Sequence, residues 1–544
     1  MFSLKHSLTN WFLVVSTLVS SAADFIVSNN DDSGPGSLRA ALLNANSNNQ
    51  ADNITFAGSL QNQTILLTSE DLQITSEITL SGFSNASLTI SGDTARRVFD
   101  LTGDSIVTMN NLTLSEGSGS GISNSGTLTL NNCTLRNHQG GRGAALLNEG
   151  GSITLNDCLI ESNISDDDAA VNSFGSGPNL INRCRFIDNR ADRNGGAFAN
   201  FGLFTIIDST FEDNWAGLNG AGLFNANNLD LINCTFLNNQ AVISGGALDN
   251  RGGGLNVINC TFESNTAASG AAIVARFGIN LINCTVSNNN ASGIASITNL
   301  TESEIIDGFN GAENFVNASN LNTIGTTGGL LTLASGNFNL ANSILSNNSP
   351  QQIFAQNSTT VFLNGNNLSS DNSFAAVSNL INSNNLIPNT DPLLAPLTNN
   401  GGEVLTLALL PGSPAIDAGS NIAVSNSPVA FDTDARGGAR ILTGLTSSND
   451  SLVDLGAFEL NTQEVAPPVC LSILLNSSNQ PVLTAEGTPG TSYLLLESET
   501  LTFDTSTPLQ TFTLDATGQF IFTETSDALP SENFYRLQFL SPDL

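Results

Sequence analysis

Residues 232–274 read INCTFLNNQAVISGGALDNRGGGLNVINCTFESNTAASGAAIV, which is one pattern written twice. INCTF begins at position 232 and again at position 258, and each copy is followed by a run of small residues. Cysteines recur through the middle of the chain at intervals of 24 to 26 residues, apart from one interval of 50 that Ser209 divides into halves. Units of about 25 residues therefore align, and their ladder positions are Cys133, Cys158, Cys184, Ser209, Cys234, Cys260 and Cys284.

The spacing within one unit predicts short strands joined by corners. Apolar residues lie five and three positions before the ladder residue and two positions after it, as in Leu229, Leu231, Cys234 and Phe236. Alternation of this kind is typical of a strand, and the change of parity between the second and third positions requires a turn of the backbone. The third unit departs from the pattern, with Asn179 in the first apolar position.

The residue types between these strands support the same interpretation. The position before the ladder residue carries Asn or Asp, which tolerate left-handed backbone conformations, except at Arg183. Asn recurs five positions after the ladder residue, except at His138. A small residue recurs twelve positions after it, which implies a close backbone approach. These small residues are Ala145, Ala170, Gly196, Ala221, Gly246 and Ala272.

Such a unit, with three short strands and three corners, cannot bury its apolar face alone. Stacked on copies of itself at about 4.8 Å, it places Cys on Cys, Phe on Phe and Asn on Asn. The sequence therefore predicts an all-β fold, a right-handed parallel β-helix. Parallel Cβ vectors disfavour disulfide geometry between stacked cysteines, so we expect reduced core thiols.

Composition limits the function classes. Fifteen basic against 48 acidic residues give a net charge of −33, which excludes nucleic-acid binding and contact with anionic membranes. The segment 1–23 has a basic start, an apolar stretch and a small-residue cleavage site, and it predicts a secretory signal peptide. No later stretch is long and apolar enough for an integral membrane segment.

The repeats resemble a known family. FIDNRADRNGGAF (186–198) and FLNNQAVISGGAL (236–248) resemble the repeats of chlamydial polymorphic outer-membrane proteins, over about 125–290. DDSGPGSLRAALLNAN (31–46) resembles the segment that begins many bacterial β-helix surface proteins. There Leu38, Ala41, Leu42 and Ala45 form one apolar face, with Ser37 as N-cap, and predict a short helix that caps the solenoid.

A second resemblance covers the chain after the repeats. DPLLAPLTNNGGEVLTLALLPGSPAIDAG (391–419), TDARGGAR (433–440) and DLGAFEL (454–460) resemble the choice-of-anchor Q domain, which ends β-helix passengers before an anchoring module. Buried charges need partners, so we expect the charged residues here to form a structural ion-pair cluster. They are Asp417, Asp434, Arg436, Arg440 and Asp454. Alternating strands in 469–544 predict a small β-sandwich.

The strongest carboxylate cluster is Asp166, Asp167 and Asp168, a weak candidate for calcium binding. The alternative is a solvated loop that Arg190 and Arg193 of the next coil neutralise. No other metal site, catalytic residue or cofactor site is indicated. β-Helices often degrade acidic polysaccharides, but neither His6 nor His138 lies in a motif of such an enzyme.

We therefore expect a signal peptide at 1–23, a cap with first coils at 24–100, a parallel β-helix at 101–390, terminal coils at 391–463 and a β-sandwich at 469–544. The expected function is that of a bacterial secreted or outer-cell-surface passenger. It would be adhesin-like or structural, with an extracellular glycan or a host or neighbouring cell surface as partner. The alternative is a carbohydrate-active enzyme, a polysaccharide lyase or glycoside hydrolase, on the same fold.

Overall fold

The computed structural model describes residues 23–48, 50–175, 177–292, 327–332, 337–356, 359–440 and 452–460, and six strands between 470 and 540. The predicted signal peptide lies, but for residue 23, outside the described residues. The chain divides into two compact units: Met1–Thr205 with Phe211–Asn228, and Ile206–Thr210 with Leu229–Leu544. The described part is mostly a parallel β-solenoid of about 12 turns, which confirms the predicted fold class.

Each coil contributes up to four short strands, and equivalent strands of successive coils pair in parallel. We number the four stacks in their order along a coil. In the first unit, stack 1 contains Asp24–Val27, Asp52–Phe56, Glu77–Ser81, Ile106–Asn110, Thr127–Asn131, Ser152–Asn156 and Pro178–Asn182. In the second unit it contains Leu229–Ile232, Leu255–Ile258, Ile279–Ile282, Asn337–Ala341, Thr360–Leu363 and Leu380–Ile381. Leu203–Ile207 has residues in both units.

Stack 2 follows the first corner. In the first unit it contains Gln63–Leu66, Leu88–Ser91, Thr113–Ser115, Thr134–Arg136, Leu159–Glu161 and Arg185–Ile187. In the second unit it contains Thr235–Leu237, Thr261–Glu263, Thr285–Ser287, Ile344–Ser346, Asn367–Ser369 and Leu386–Ile387. Thr210–Glu212 has residues in both units.

Stack 3 is an addition to the predicted three strands per coil. Its members are only two residues long: Ile164–Ser165, Arg190–Ala191 and Trp215–Ala216 in the first unit, and Gln240–Ala241, Thr266–Ala267 and Asn290–Ala291 in the second. Stack 4 contains Leu72–Ile74, Phe99–Leu101, Ile122–Asn124, Leu146–Asn148, Val171–Ser173, Phe198–Asn200 and Leu223–Asn225 in the first unit. In the second unit it contains Leu248–Asn250, Ile273–Ala275, Leu330–Thr332 and Ile353–Ala355.

The predicted corners are left-handed. Every residue immediately before a ladder position has a positive φ: Asn132, Asp157, Arg183, Asp208, Asn233, Asn259 and Asn283 all lie between 50° and 54°. Arg183 adopts this conformation although it is neither Asn nor Asp, and its guanidinium donates twice to the Asp157 carboxylate of the preceding coil at 2.7 Å. A second left-handed corner, which the sequence did not reveal, lies four positions after the ladder residue, for example at Asn238.

The small residues allow the close backbone approach that their spacing predicts. A Cβ added to Gly196 would lie 2.4 Å from the Trp215 carbonyl oxygen and 2.6 Å from that of Ala221. A Cβ added to Gly246 would lie 2.4 Å from the carbonyl oxygen of Thr266. Backbone at such distances leaves no room for a larger side chain.

Like residues stack on like residues in the core. Thr235 pairs with Thr261 and Phe236 with Phe262, which places Cys234 on Cys260 as predicted. The rings of Phe236 and Phe262 are 4.9 Å apart and nearly parallel.

The six ladder cysteines are buried, reduced thiols. The Cys260 sulfur accepts the backbone N–H of Cys234 at 3.3 Å and donates to the Ile258 carbonyl at 3.2 Å. Burial raises the pKa of the Cys133 thiol to about 11. The neutral thiol is therefore favoured at Cys133, which makes it a poor nucleophile, and all six buried side chains fill the core.

A ladder of buried asparagines runs inside each unit. Asn265 illustrates its bonding in the second unit: its Nδ2 donates to the Phe236 carbonyl and to Asn289 Oδ1, both at 2.9 Å. Its Oδ1 accepts the backbone N–H and the Nδ2–H of Asn239, at 2.9 and 3.0 Å. In the first unit His138 stands at the head of the ladder, and its backbone N–H donates to Asn163 Oδ1.

Helix α1, Leu38–Asn46, packs at the first coil as predicted. Ser37 caps it by accepting the Ala40 N–H at 3.2 Å, and the expected apolar face is buried. Among the described residues, short 3-10 turns cover Gly58–Leu60, Ser373–Ala376 and Ser383–Asn385, and a further helix, α2, covers Asn421–Ser425.

The chain after the coils differs from the expected terminal coils. Residues 391–440 and 452–460, here the flanking segment, lie against the side of the second unit's coils. In the described part of this segment the β-pairings are three isolated antiparallel bridges, at Leu394–Leu409, Thr398–Thr406 and Thr433–Ala439. Beyond it, six strands form two three-stranded antiparallel sheets: Cys470–Leu475, Pro481–Glu486 and Gln519–Thr523, then Thr507–Thr513, Ser492–Ser498 and Phe534–Leu540.

The flanking segment covers the outer face of stack 2 in the second unit. Thr235 Oγ1 donates to the Leu405 carbonyl at 2.7 Å, and Thr285 Oγ1 accepts the Ala457 N–H at 3.0 Å. Ile344 lies in one apolar cluster with Leu409 and Leu455. Since these outward residues find partners in the segment, they are almost fully buried.

Candidate functional site

The acidic turn of the first unit is an ion-paired surface feature. Asp167 forms salt bridges with Arg142 of the preceding coil, at 2.8 Å, and with Arg193 of the following coil, at 3.2 Å. All three side chains are partly exposed, so the pairs contribute little stability. The Asp167 charge is nevertheless neutralised by two neighbours, as expected for Arg193.

The other two carboxylates of the turn have different surroundings. Asp168 is buried, and its Oδ1 accepts the backbone N–H and the Nδ2–H of Asn194, both at 3.1 Å. Burial and the Asp167 charge raise the pKa of Asp168. Asp166 is exposed. Throughout the described ranges, no group of three or more His, Cys, Asp or Glu side chains is arranged to hold a metal ion.

Arg190 does not reach this turn. It pairs with Asp192 of its own coil at 3.0 Å, and its guanidinium lies over the Trp215 ring, 3.7 Å from the centroid. A guanidinium stacked on an aromatic ring stays protonated and is a poor base.

His138 has a structural role. Its Nδ1 accepts the Gly117 N–H at 2.8 Å, and its Nε2 lies 3.1 Å from the Leu114 carbonyl oxygen. Burial lowers its pKa to about 4. The imidazole is therefore neutral near pH 7 and fixed in the core.

The charged residues of the flanking segment form the expected cluster around a residue that the sequence did not single out, Glu459. The Arg440 side chain is fully buried, and its Nη1 bonds Glu459 Oε2 at 3.0 Å. Its Nη2 donates to Asn259 Oδ1 at 2.8 Å. Arg440 thereby connects the flanking segment to a corner of the coils.

The backbone completes this cluster. Glu459 Oε2 also accepts the Asp454 N–H at 3.0 Å, and the Asp454 carboxylate accepts the N–H groups of Asp417 and Leu460. Burial raises the pKa of Asp454 to about 6 and that of Glu459 to about 8, although Arg440 opposes both shifts. The cluster holds the segment together, and Arg440, Asp454 and Glu459 at its centre are buried.

Arg436 belongs to the same cluster. Its Nε bonds Asp434 Oδ2 at 2.8 Å, and its guanidinium lies 4.0 Å from the centroid of the Phe458 ring. Asp434 Oδ2 in turn accepts the Glu459 N–H at 3.0 Å. Of the five charged residues predicted here, Asp434, Arg436, Arg440 and Asp454 thus bond within the cluster through their side chains, and Asp417 through its backbone N–H.

A groove with several polar groups lies in the second unit, between its coils and the flanking segment. Its cavity has a volume of about 400 Å³. Ligand sites typically have volumes of about 300–1,000 Å³. Its lining residues are Asn280, Ile282, Asn339, Ala341, Asn364, Ala423, Asn426 and Pro428.

One side of the groove is a ladder of side-chain amides on the outer face of stack 1. Asn280 donates to Asn256 Oδ1 at 2.7 Å, Asn339 to Asn280 Oδ1 at 2.7 Å, and Asn364 to Asn339 Oδ1 at 3.1 Å. At one end the ladder terminates at a carboxylate, since Asn256 donates to Asp230 Oδ1 at 2.7 Å. We call this series the amide ladder.

The floor and opposite wall of the groove are apolar. Ile282, Ala341 and Ala423 are buried in one cluster with Ile258. α2 contributes Ala423, while Asn426 and Pro428 lie exposed on the rim. The sequence pattern does not reveal this groove, because its wall comes from a segment about 80 residues beyond Asn339. The recurrence of Asn at the second position of Leu-Asn-Val-Ile, Ile-Asn-Leu-Ile and Phe-Asn-Leu-Ala was the available signal.

Membrane-spanning helices and similarity to known proteins were the remaining sources of information on function. Among the helices of the described residues, none has the length and hydropathy that a bilayer crossing requires. The chain matches no protein-family model and no curated protein sequence.

Proposed function

We propose that this protein is a bacterial secreted or cell-surface passenger, adhesin-like in function, which binds an extracellular glycan on the side of its β-solenoid. The resemblance of its repeats to those of chlamydial polymorphic outer-membrane proteins supports this, as does the resemblance of 391–460 to the choice-of-anchor Q domain. A signal peptide at 1–23 would export the chain, and its net charge of −33 suits exposure to solvent.

The groove under the flanking segment is the observation that carries the proposal. It combines a recess of about 400 Å³, a row of amides and an apolar floor. Neutral polar groups beside hydrocarbon match the hydroxyl and C–H faces of a sugar ring. Ligand sites of proteins are built in this way, from apolar walls with a few polar groups that fix orientation.

Binding without catalysis is favoured over the carbohydrate-active enzyme. In the acidic turn, Asp167 pairs with two arginines, Asp168 bonds to an asparagine, and Asp166 is exposed to solvent. His138 is buried and neutral. The groove is lined by amides and apolar groups, and amides neither accept nor donate a proton readily near pH 7. The proposed activity requires no cofactor.

The test is binding of the purified protein to a panel of immobilised glycans and to whole cells. We expect saturable binding to at least one glycan, no loss of that glycan over time, and inhibition of cell binding by the same glycan in solution. Cell binding that soluble glycans leave unchanged would contradict glycan recognition, and release of reducing ends or unsaturated sugars would favour the enzyme instead.

A further inference from the structure

The amide ladder repeats at the spacing of the coils. Asp230 pairs in register with Asn256, Asn256 with Asn280, and Asn280 with Asn339. Neighbouring strands of a parallel sheet are about 4.8 Å apart, so the amides recur at that interval. This repeat is close to the length of one pyranose residue in an extended chain.

Each interior amide has hydrogen-bonding capacity that the ladder does not use. An asparagine side chain offers two N–H donors and two acceptor lone pairs. Asn280 spends one N–H on Asn256 and accepts one N–H from Asn339, and Asn339 is bonded equivalently between Asn280 and Asn364. One N–H and one lone pair remain at each rung. A hydroxyl group, which both donates and accepts, is the complementary partner.

The common orientation of the ladder amides fixes the positions of their unused N–H groups and lone pairs. All four amides donate in the same direction, toward Asp230, whose carboxylate accepts the last N–H. A chain of hydrogen bonds aligned in this way is mutually polarised. A ligand therefore contacts a preformed row of donors and acceptors, and ordering these groups on binding costs little free energy.

The charge of the groove selects against acidic ligands. None of its eight lining residues is charged, and the nearest member of the ladder with a charge is the acidic Asp230. The chain as a whole carries −33. A polyuronate would lose hydration without gaining a cationic partner, so a neutral chain is favoured.

From these observations we propose that the groove binds a neutral, linear polysaccharide along the amide ladder, with one hydroxyl-bearing sugar unit per coil. The C–H faces of the sugars contact Ile282, Ala341 and Ala423, and the chain leaves past the exposed Asn364. This inference rests on the proposed glycan-binding function and names its site and ligand class.

The test compares two groove variants with a matched control. Asn339→Leu removes an interior rung at nearly constant volume. Asn426→Trp fills the recess from an exposed position on its rim. Asn131→Leu is the control, because Asn131 is also an interior rung of an outer ladder on stack 1, bonded to Asn110 and Asn156 at 2.9 Å, but it lies in the first unit and outside the groove.

The readout is affinity for soluble linear oligosaccharides of β-glucan, xylan and mannan, and for oligogalacturonate and alginate oligomers, with circular dichroism to verify folding. We expect binding of a neutral series, a gain with chain length, about a tenfold loss in Asn339→Leu, no detectable binding in Asn426→Trp, and wild-type affinity in Asn131→Leu.

The outcomes separate the two proposals. If neutral glycans bind but both folded groove variants retain wild-type affinity, the groove is not the site, whereas glycan binding stands. Preference for the uronate series would overturn the ligand class. If no glycan in either series binds the wild-type protein, the proposed function itself fails. Loss of binding in all three variants would indicate a general structural effect and would also contradict the assignment of the groove as the binding site.

Discussion

Replacing Asn265 with leucine tests whether the buried asparagine ladder stabilises the coils. The side chain has no solvent exposure, and leucine has nearly the same shape. The change removes the bonds to the Phe236 carbonyl and Asn289, and those from the N–H and Nδ2–H of Asn239. Four buried hydrogen bonds are lost. At about 0.5–1.5 kcal/mol for each bond, we expect a loss of about 2–6 kcal/mol.

The control is Asn256→Leu, on the outer face of the same coil. Asn256 is half-buried, so water can replace its bonds to Asp230 and Asn280, and the expected loss is below about 1 kcal/mol. Urea unfolding gives the free energies, and hydrogen exchange shows where protection is lost. We expect faster exchange at Asn239, Asn265 and Asn289, because solenoid stability depends on neighbouring coils. Equal stability of the two variants would refute a stabilising role for the buried ladder.

Three further predictions concern chemistry. The six ladder cysteines should resist alkylation in the folded protein and react after denaturation, because all six are buried away from the reagent, and burial also raises the pKa of the Cys133 thiol to about 11; peptide-resolved mass spectrometry measures this, and rapid native labelling of Cys234 or Cys260 would contradict it. The pKa of Glu459 is raised from 4.5 to about 8, so its contribution to stability is complete below about pH 4.5 and is lost as the pH rises through 8. Melting temperatures should therefore fall over this range, and less steeply in Glu459→Gln; an unchanged slope would show that Glu459 is not the group responsible. Pectin and alginate should give no unsaturated product with or without calcium, measured at 235 nm; a product abolished by joint Asp→Asn substitution of Asp166, Asp167 and Asp168 would establish a lyase.

The repeat was enough to predict the coils because the residue at each of its positions must meet a separate physical requirement. The ladder residue and Phe236 face the core, the Asn before the ladder residue turns left-handed, and the Asn after it bonds in the core. Arg183 shows that the stacked coils require the left-handed conformation whatever the residue type. It adopts this conformation like the Asn and Asp at equivalent positions, and Asp157 binds its side chain. Stack 3 was missed because two residues are too short for any alternation to appear.

The flanking segment could not be placed from the sequence in the same way. Its contacts join residues about 170 positions apart, such as Thr235 with Leu405 and Asn259 with Thr433, and no periodicity links such pairs. The sequence did give an indirect sign. The outward residue of stack 2 is Thr134, Leu159 and then the charged Arg185 in the first unit, where it is half-buried or exposed. At Thr235, Thr261 and Thr285 of the second unit it is a threonine in each coil, and there it is buried.

The position of the groove follows from this division of roles. A repeat presents the same surface on every coil, so by itself it offers a row of weak, equivalent contacts. Specific recognition needs a place where one coil differs from its neighbours, and the flanking segment supplies it, because Ala423 and Pro428 turn an open row of amides into a recess at Asn280 and Asn339. The buried cluster around Arg440 and Glu459 fixes the segment that forms this wall. In the proposed glycan site, the regular coils thus determine the ligand's repeat, and the irregular segment determines where along the coils it binds.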